Sequence, residues 1–153
     1  MRKLFLTFFY SGLSPVAPGT AGSILAGIVG FMILQFVGID TLFLLSILIT
    51  VIGIKEIDKY EAITKTHDDK SIVIDEVIGL WLAFVLSSGT ITQMILSFIY
   101  FRLFDIMKPS LIGKIDRDVK GGLGVIGDDV LAGLLAGICS AATWQAIMYL
   151  TTQ

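Results

Sequence analysis

Residues 77–101, VIGLWLAFVLSSGTITQMILSFIYF, decide the fold. The run carries no charge and holds Ser87-Ser88-Gly89-Thr90 at its middle. It reads either as one full membrane span or as a hairpin of two short helices. One span would place Asp75 and Glu76 on the opposite membrane face from Asp105 and Lys108. A hairpin returns the chain to the same face, where both groups can share a site. Charge favours the hairpin. With crossings at 21–39, 41–54, 77–87, 91–104 and 129–150, all 11 Lys and Arg residues fall on one side and only Asp40 on the other. The single span would move Arg102, Lys108, Lys114, Arg117 and Lys120 across. Lys and Arg concentrate in cytoplasmic loops, so the charged side is expected to be cytoplasmic. The hairpin arms are shorter than a standard span, so they are expected to tilt or to be re-entrant and covered by neighbouring helices.

Composition points the same way. Of 153 residues, 55% are hydrophobic and 16% charged, against about 25% charged in soluble domains. Mean hydropathy is +0.87. The apolar residues gather in long uncharged runs, as in membrane proteins. Net charge is -2, which leaves no basic footprint for nucleic acid. One cysteine, Cys139, excludes an internal disulfide, and its apolar surroundings fit a small buried residue rather than a nucleophile. The single histidine, His67, cannot build a multi-histidine zinc site. The expectation is one all-α domain over residues 1–153: a polytopic membrane bundle of four to six helices.

On the N-terminal side, residues 4–10 read as a short interfacial or buried helix. Residues 11–23, SGLSPVAPGTAGS, form a turn-rich loop that enters a helix. Its Ser and Thr residues are candidate caps, and a helix N-terminus is also a ready anion site. The helix of residues 41–54 is expected to continue to Thr66, its charges forming a solvated face. Asp75 and Glu76 differ from those charges. They are adjacent and stand against apolar sequence. The helix dipole accounts for one carboxylate at such a place; two invite a cation.

On the C-terminal side comes FRLFDIMKPSLIGKIDRDVKGGLGVIGDDVLAG, residues 101–133. Arg102, Asp105 and Lys108 follow at i, i+3 steps and form a polar stripe. Pro109 ends or kinks that helix. Residues 110–127 read as a glycine-bearing loop, and Asp128 and Asp129 as the opening of the last helix. Carboxylates bind hard cations such as Mg2+. Lys and Arg bind phosphate oxygens, and glycines admit an anion close to the backbone. The stretch holds the parts for metal-assisted phosphate chemistry.

Three blocks together, SGLSPVAPGTAGS (11–23), HDDKSIVIDEVIGLW (67–81) and residues 101–133, strongly resemble the phosphatidylglycerophosphatase A family. The pattern FD-x-x-KP, then DR, then GG-x-G, then DD-x-x-AG carries the likeness. Residues 30–60 and the tail after Gly133 carry little of it. The resemblance implies Mg2+-dependent removal of the terminal phosphate from the lipid phosphatidylglycerophosphate. It also implies a multi-pass protein of the bacterial inner (cytoplasmic) membrane, working in phospholipid synthesis. The site is then expected at the cytoplasmic face of the bundle, where the lipid headgroup lies.

With that resemblance, Asp75, Glu76, Asp128 and Asp129 become the expected Mg2+ ligands. Asp105 and Asp116 are further ligands or a general base. Lys108 and Arg117 are expected to bind and stabilise the phosphate. Arg102 either joins them or only pairs with Asp105. Ser14 and Thr20 are expected donors from the 11–23 loop. Metal-activated water is a simpler attacking group than an aspartyl nucleophile, because Asp116-Arg117-Asp118 lacks the rest of a DxDxT/V motif. The main rival is a small transporter or channel with carboxylates at helix ends. Against it, the charges cluster at one face and not at mid-span. A structural subunit is a second rival, and a CDP-alcohol phosphotransferase a third; the DG-x2-AR…G-x3-D-x3-D pattern of the latter is absent. Oligomeric state is not written in the sequence.

Overall fold

A computed structural model describes residues 1–66, 69–87 and 90–152. These residues form helices and connecting turns, with no strand among them. The elements are α1 (Arg2–Leu6), a 3-10 turn (Ser11–Leu13), α2 (Pro18–Phe36), α3 (Ile39–Thr64), α4 (Ile74–Leu86), α5 (Ile91–Met107), α6 (Leu111–Asp118) and α7 (Gly122–Thr151). His67 lies outside the described residues, as do Ser88 and Gly89 of the 77–101 run.

The 77–101 run is a hairpin, α4 then α5. Thr90 opens α5 with a capping box. Its hydroxyl accepts the Gln93 N–H at 3.3 Å, and the Gln93 side chain accepts the Thr90 N–H at 3.4 Å. At its other end α5 stops at Met107, with Lys108 in the left-handed conformation before Pro109. The arms are short: 13 and 17 residues span about 20 and 26 Å at 1.5 Å per residue.

α4 can be short because it is enclosed. It packs against α2, α3, α5 and α7. Ile74, Val77, Ile78, Leu80, Ala83 and Phe84 are almost wholly buried. Trp81 is buried too, and its indole N–H donates to the Ala26 carbonyl at 2.8 Å, so no polar atom is stranded there. α4 and α7 cross in close contact. A Cβ at Gly79 would stand 2.5 Å from the Asp129 carbonyl oxygen and 2.6 Å from Phe101, and one at Gly133 would overlap Gly79. Only glycine lets the two helices approach this closely. Outside this core the helices turn large apolar side chains outward, among them Ile24, Ile28, Phe31, Leu44, Leu48, Ile95, Leu134, Ile138 and Leu150. Two of the helices, α2 and α7, are long and apolar enough to cross a membrane.

The expectation for residues 110–127 needs correction. Most of this segment is helical: α6 occupies Leu111–Asp118, and α7 starts at Gly122, six residues before Asp128. The described residues therefore hold seven α-helices, more than the expected four to six. α6 is amphipathic; it buries Ile112 and Gly113 against α7 and leaves Lys114, Arg117 and Asp118 outside. α7 starts early because Asp58 reaches it from α3. The Asp58 carboxylate accepts the Gly122 N–H at 2.7 Å, while Gly121 takes a positive φ of 74°.

Candidate active site

α2, α4 and α7 begin at the same end of the bundle where α5 finishes. Between them lies a cleft of about 360 Å³. Three helices present their N-terminal ends to it: Pro18 and Gly19 from α2, Asp75 from α4, with Ile72 just before it, and Gly124 and Val125 from α7. Their free N–H groups and dipoles favour negative charge here. Three acids line the cleft from deep positions. Asp75, Asp128 and Asp129 are 9%, 4% and 3% exposed. Glu76, Asp105 and Asp116 complete the acidic lining, and Lys70 and Lys108 supply the cations.

The acids divide into two groups. Asp75, Glu76 and Asp129 each offer a carboxylate oxygen, and these oxygens lie within 4.8 Å of one another. Glu76 Oε2 is buried without a hydrogen-bond partner. Its other oxygen lies 3.8 Å from Arg102 Nη1 and close to where a Cβ on Gly19 would stand. Burying an unpaired carboxylate oxygen is costly, so this atom asks for a cation. Oxygen-only ligands of this kind suit Mg2+. The second group surrounds Lys108. Its ammonium donates to Asp128 Oδ2 at 2.8 Å and also to Asp116. Burial alone would lower the Lys108 pKa, but the hydrogen bonds to Asp116 and Asp128 outweigh it and hold it above the ordinary value. Lys108 is therefore a fixed positive charge beside the three-carboxylate cluster.

Arg102 is not part of the cleft wall but ties its edge together. It donates to Asp105 at 2.5 Å and, across to α2, to Thr20 and Ser23, each at 3.3 Å. The 101–133 stretch and the Asp75-Glu76 pair thus meet in one place, as the hairpin requires. Other expected positions stand apart. Ser14 is half-buried, and its hydroxyl donates to the Val16 carbonyl at 2.8 Å, outside the cleft. Thr20 reaches the site only through Arg102. Arg117 is exposed at the end of α6 and is not in the cleft lining. Asp128 faces Lys108 and stands outside the three-carboxylate group. Lys70 was not singled out from the sequence. It lies in the turn between α3 and α4, and nothing in its neighbours signals that the turn folds over the cleft.

Six carboxylates gathered with Lys70 and Lys108 at one end of a helical bundle, with Arg102 at their edge, suit a hydrolase that works on a phosphate ester. Comparison with known proteins names the family. The family model for phosphatidylglycerophosphatase A matches residues 4–144, and the chain belongs to that family. Phosphatidylglycerophosphatase A of Escherichia coli K12 is 38% identical over 132 residues, 85% of this chain and 76% of the relative. The Haemophilus influenzae protein of the same name is 37% identical over 131 residues, 85% of this chain and 80% of its own. A putative phosphatidylinositol-3-phosphatase of Bacteroides thetaiotaomicron is 38% identical over 146 residues, 90% of this chain and 91% of the relative. No solved structure matches the chain.

Proposed function

We propose that this protein is a Mg2+-dependent phosphatase of phosphatidylglycerophosphate, releasing phosphatidylglycerol and inorganic phosphate in phospholipid synthesis. The observation that carries the reading is the Asp75, Glu76 and Asp129 cluster with an unpartnered buried oxygen, set beside the Lys108 ammonium. The family and the two relatives named for this activity support this substrate. The Bacteroides relative is named for a different headgroup, but both names describe a phosphomonoester carried on a glycerophospholipid.

Asp75, Glu76 and Asp129 would hold Mg2+, which when bound neutralises phosphoryl oxygens and makes a water nucleophilic at neutral pH. The chain's own groups do the remaining work. Lys108 meets the negative charge that builds on the phosphoryl oxygens. Asp128 and Asp116 hold the Lys108 ammonium in place and keep it charged. Lys70, at the mouth, attracts the anionic headgroup. Asp105, oriented by Arg102, faces the cleft as a proton acceptor for the attacking water. The Arg102 contacts to Thr20 and Ser23 hold the α2 N-terminus against this arrangement.

The setting is a membrane. A belt of outward apolar side chains is costly in water and favourable in lipid. The basic residues at the cleft end suit the cytoplasmic face of a bacterial inner membrane, with the chain crossing several times. A transporter or channel is not favoured, because the charged groups gather at one end and not along a path between faces.

The test is phosphate release from phosphatidylglycerophosphate by the purified protein in detergent, with and without Mg2+, for wild type and Asp129→Asn. Calorimetric Mg2+ binding on the same samples gives a readout independent of turnover. Mg2+-dependent release, lost together with Mg2+ binding in the folded variant, supports the reading. No release with any divalent cation refutes it.

A further inference from the structure

The geometry points to the groove between α2 and α5 as the binding site for one acyl chain of the lipid whose headgroup occupies the cleft. This inference rests on the phosphatase reading above. α2 and α5 run antiparallel, and both line the cleft, through Gly19 and through Asp105 and Lys108. Further along, the same two helices part and leave an apolar groove of about 360 Å³. Ile24, Ile28 and Phe31 form one wall, Ile91 and Ile95 the other, and Phe84 of α4 lies in the groove lining as well. The register of the seam is fixed by contacts along it. Arg102 faces Thr20 and Ser23, and one turn deeper a Cβ on Gly27 would stand 4.0 Å from Phe98.

At 1.5 Å per residue, the span from Gly19 to Ile24 and Phe31 is roughly 7 to 18 Å along α2. The groove therefore begins where a headgroup held in the cleft hands over to hydrocarbon and runs to acyl depth. Polar surface is nearly absent from its lining residues, in contrast to the cleft. Arg102 marks the boundary and bridges both helices at the change from polar to apolar. Leu44 and Leu48 on α3 also face outward and stand outside this groove. Gly27 leaves the groove open: no atom lies nearer than 3.8 Å to a Cβ placed there, so a larger side chain would fill the groove without striking backbone.

The experiment compares kcat/KM for dipalmitoyl and dihexanoyl phosphatidylglycerophosphate in mixed micelles. The proteins are wild type, Gly27→Leu, Ile95→Trp on the opposite wall, and Leu48→Trp on α3. The expected result is that the long-chain to short-chain ratio falls about tenfold in both groove variants, as when roughly two methylenes lose apolar contact, while Leu48→Trp keeps the wild-type ratio. Ile95 is exposed, so its variant folds even if Gly27→Leu does not. An unchanged ratio in the folded groove variants overturns the inference and makes the groove ordinary lipid-facing surface. An equal fall in Leu48→Trp overturns it as a general effect of the micelle, and a change of oligomeric state in the groove variants overturns it in favour of contact between copies. Wild-type protein that hydrolyses neither lipid refutes the phosphatase reading itself, and this inference with it.

Discussion

Gly79→Ala tests whether the α4–α7 approach sets the metal cluster. The new Cβ would stand 2.5 Å from the Asp129 carbonyl oxygen, and ordinary contact begins at 3.4 Å, so α7 must withdraw by about 0.9 Å at Asp129. Asp75 and Glu76 lie one turn before Gly79 on α4, while Asp129 rides on α7. The shift therefore opens the set of oxygens now held within 4.8 Å of one another. A displacement near 1 Å costs up to about a hundredfold in rate. For stability two effects compete. Alanine gains about 1 kcal/mol over glycine inside a helix, and overpacking costs about 1–3 kcal/mol. Overpacking wins because one obstacle is backbone and cannot rotate away. The expected protein is folded, up to about 2 kcal/mol less stable, slower by one to two orders of magnitude, and half-saturated at higher Mg2+. The assay is phosphate release against Mg2+ concentration, with thermal unfolding in the same detergent. If Gly79→Ala keeps wild-type kcat/KM and the wild-type Mg2+ midpoint, the crossing does not position the cluster.

Four further outcomes are expected. Lys70→Ala raises KM several-fold and leaves kcat nearly unchanged, because an exposed charge at the mouth attracts substrate without touching the transition state; an equal loss in kcat and kcat/KM in steady-state assays would contradict this. Lys108→Met lowers kcat by about a hundredfold or more, since it removes a charge aimed at the phosphoryl oxygens. The folded-state pKa of Lys108 is raised. Its stabilising contribution is therefore complete below the unfolded value of about 10.4 and lost only above it, so the stability difference between wild type and this variant stays flat from pH 6 to 9 in denaturation curves. Asp58→Ala removes the acceptor of the Gly122 N–H and costs about 0.5–2 kcal/mol, read as a lowered melting temperature. Arg2→Ala, which breaks a partly exposed pair with Glu56, changes stability by less than about 1 kcal/mol.

The hairpin was legible because an uncharged run broken by Ser-Ser-Gly-Thr has only two solutions, and the lysines and arginines reject one of them. The two halves of the site followed, since the hairpin returns Asp105 and Lys108 to the level of Asp75 and Glu76. α6 was not legible. Its eight residues hold a glycine and four charges, and only Ile112 and Ile115 mark the face that packs. Asp58 looked like any residue on a charged helix face, because its partner lies 64 positions away. Arg117 is expected at the phosphate from the family resemblance, alongside a reading of residues 110–127 as a loop. As a helix, α6 carries that guanidinium away from the cleft while Asp116, one residue earlier, lines it.

The burial of α4 also bears on how the protein is made. α4 carries the first two acids of the cluster, but the surfaces that enclose it come largely from α5 and α7, which follow it in the chain. During synthesis the glycine face at Gly79 can meet Phe101 of α5 but lacks its α7 partner until Gly133 emerges, and Asp129 arrives only with that same helix. The site is complete only once α7 packs against the α4–α5 hairpin. Until that event, a partly made chain has neither a full cation cage nor a sealed core.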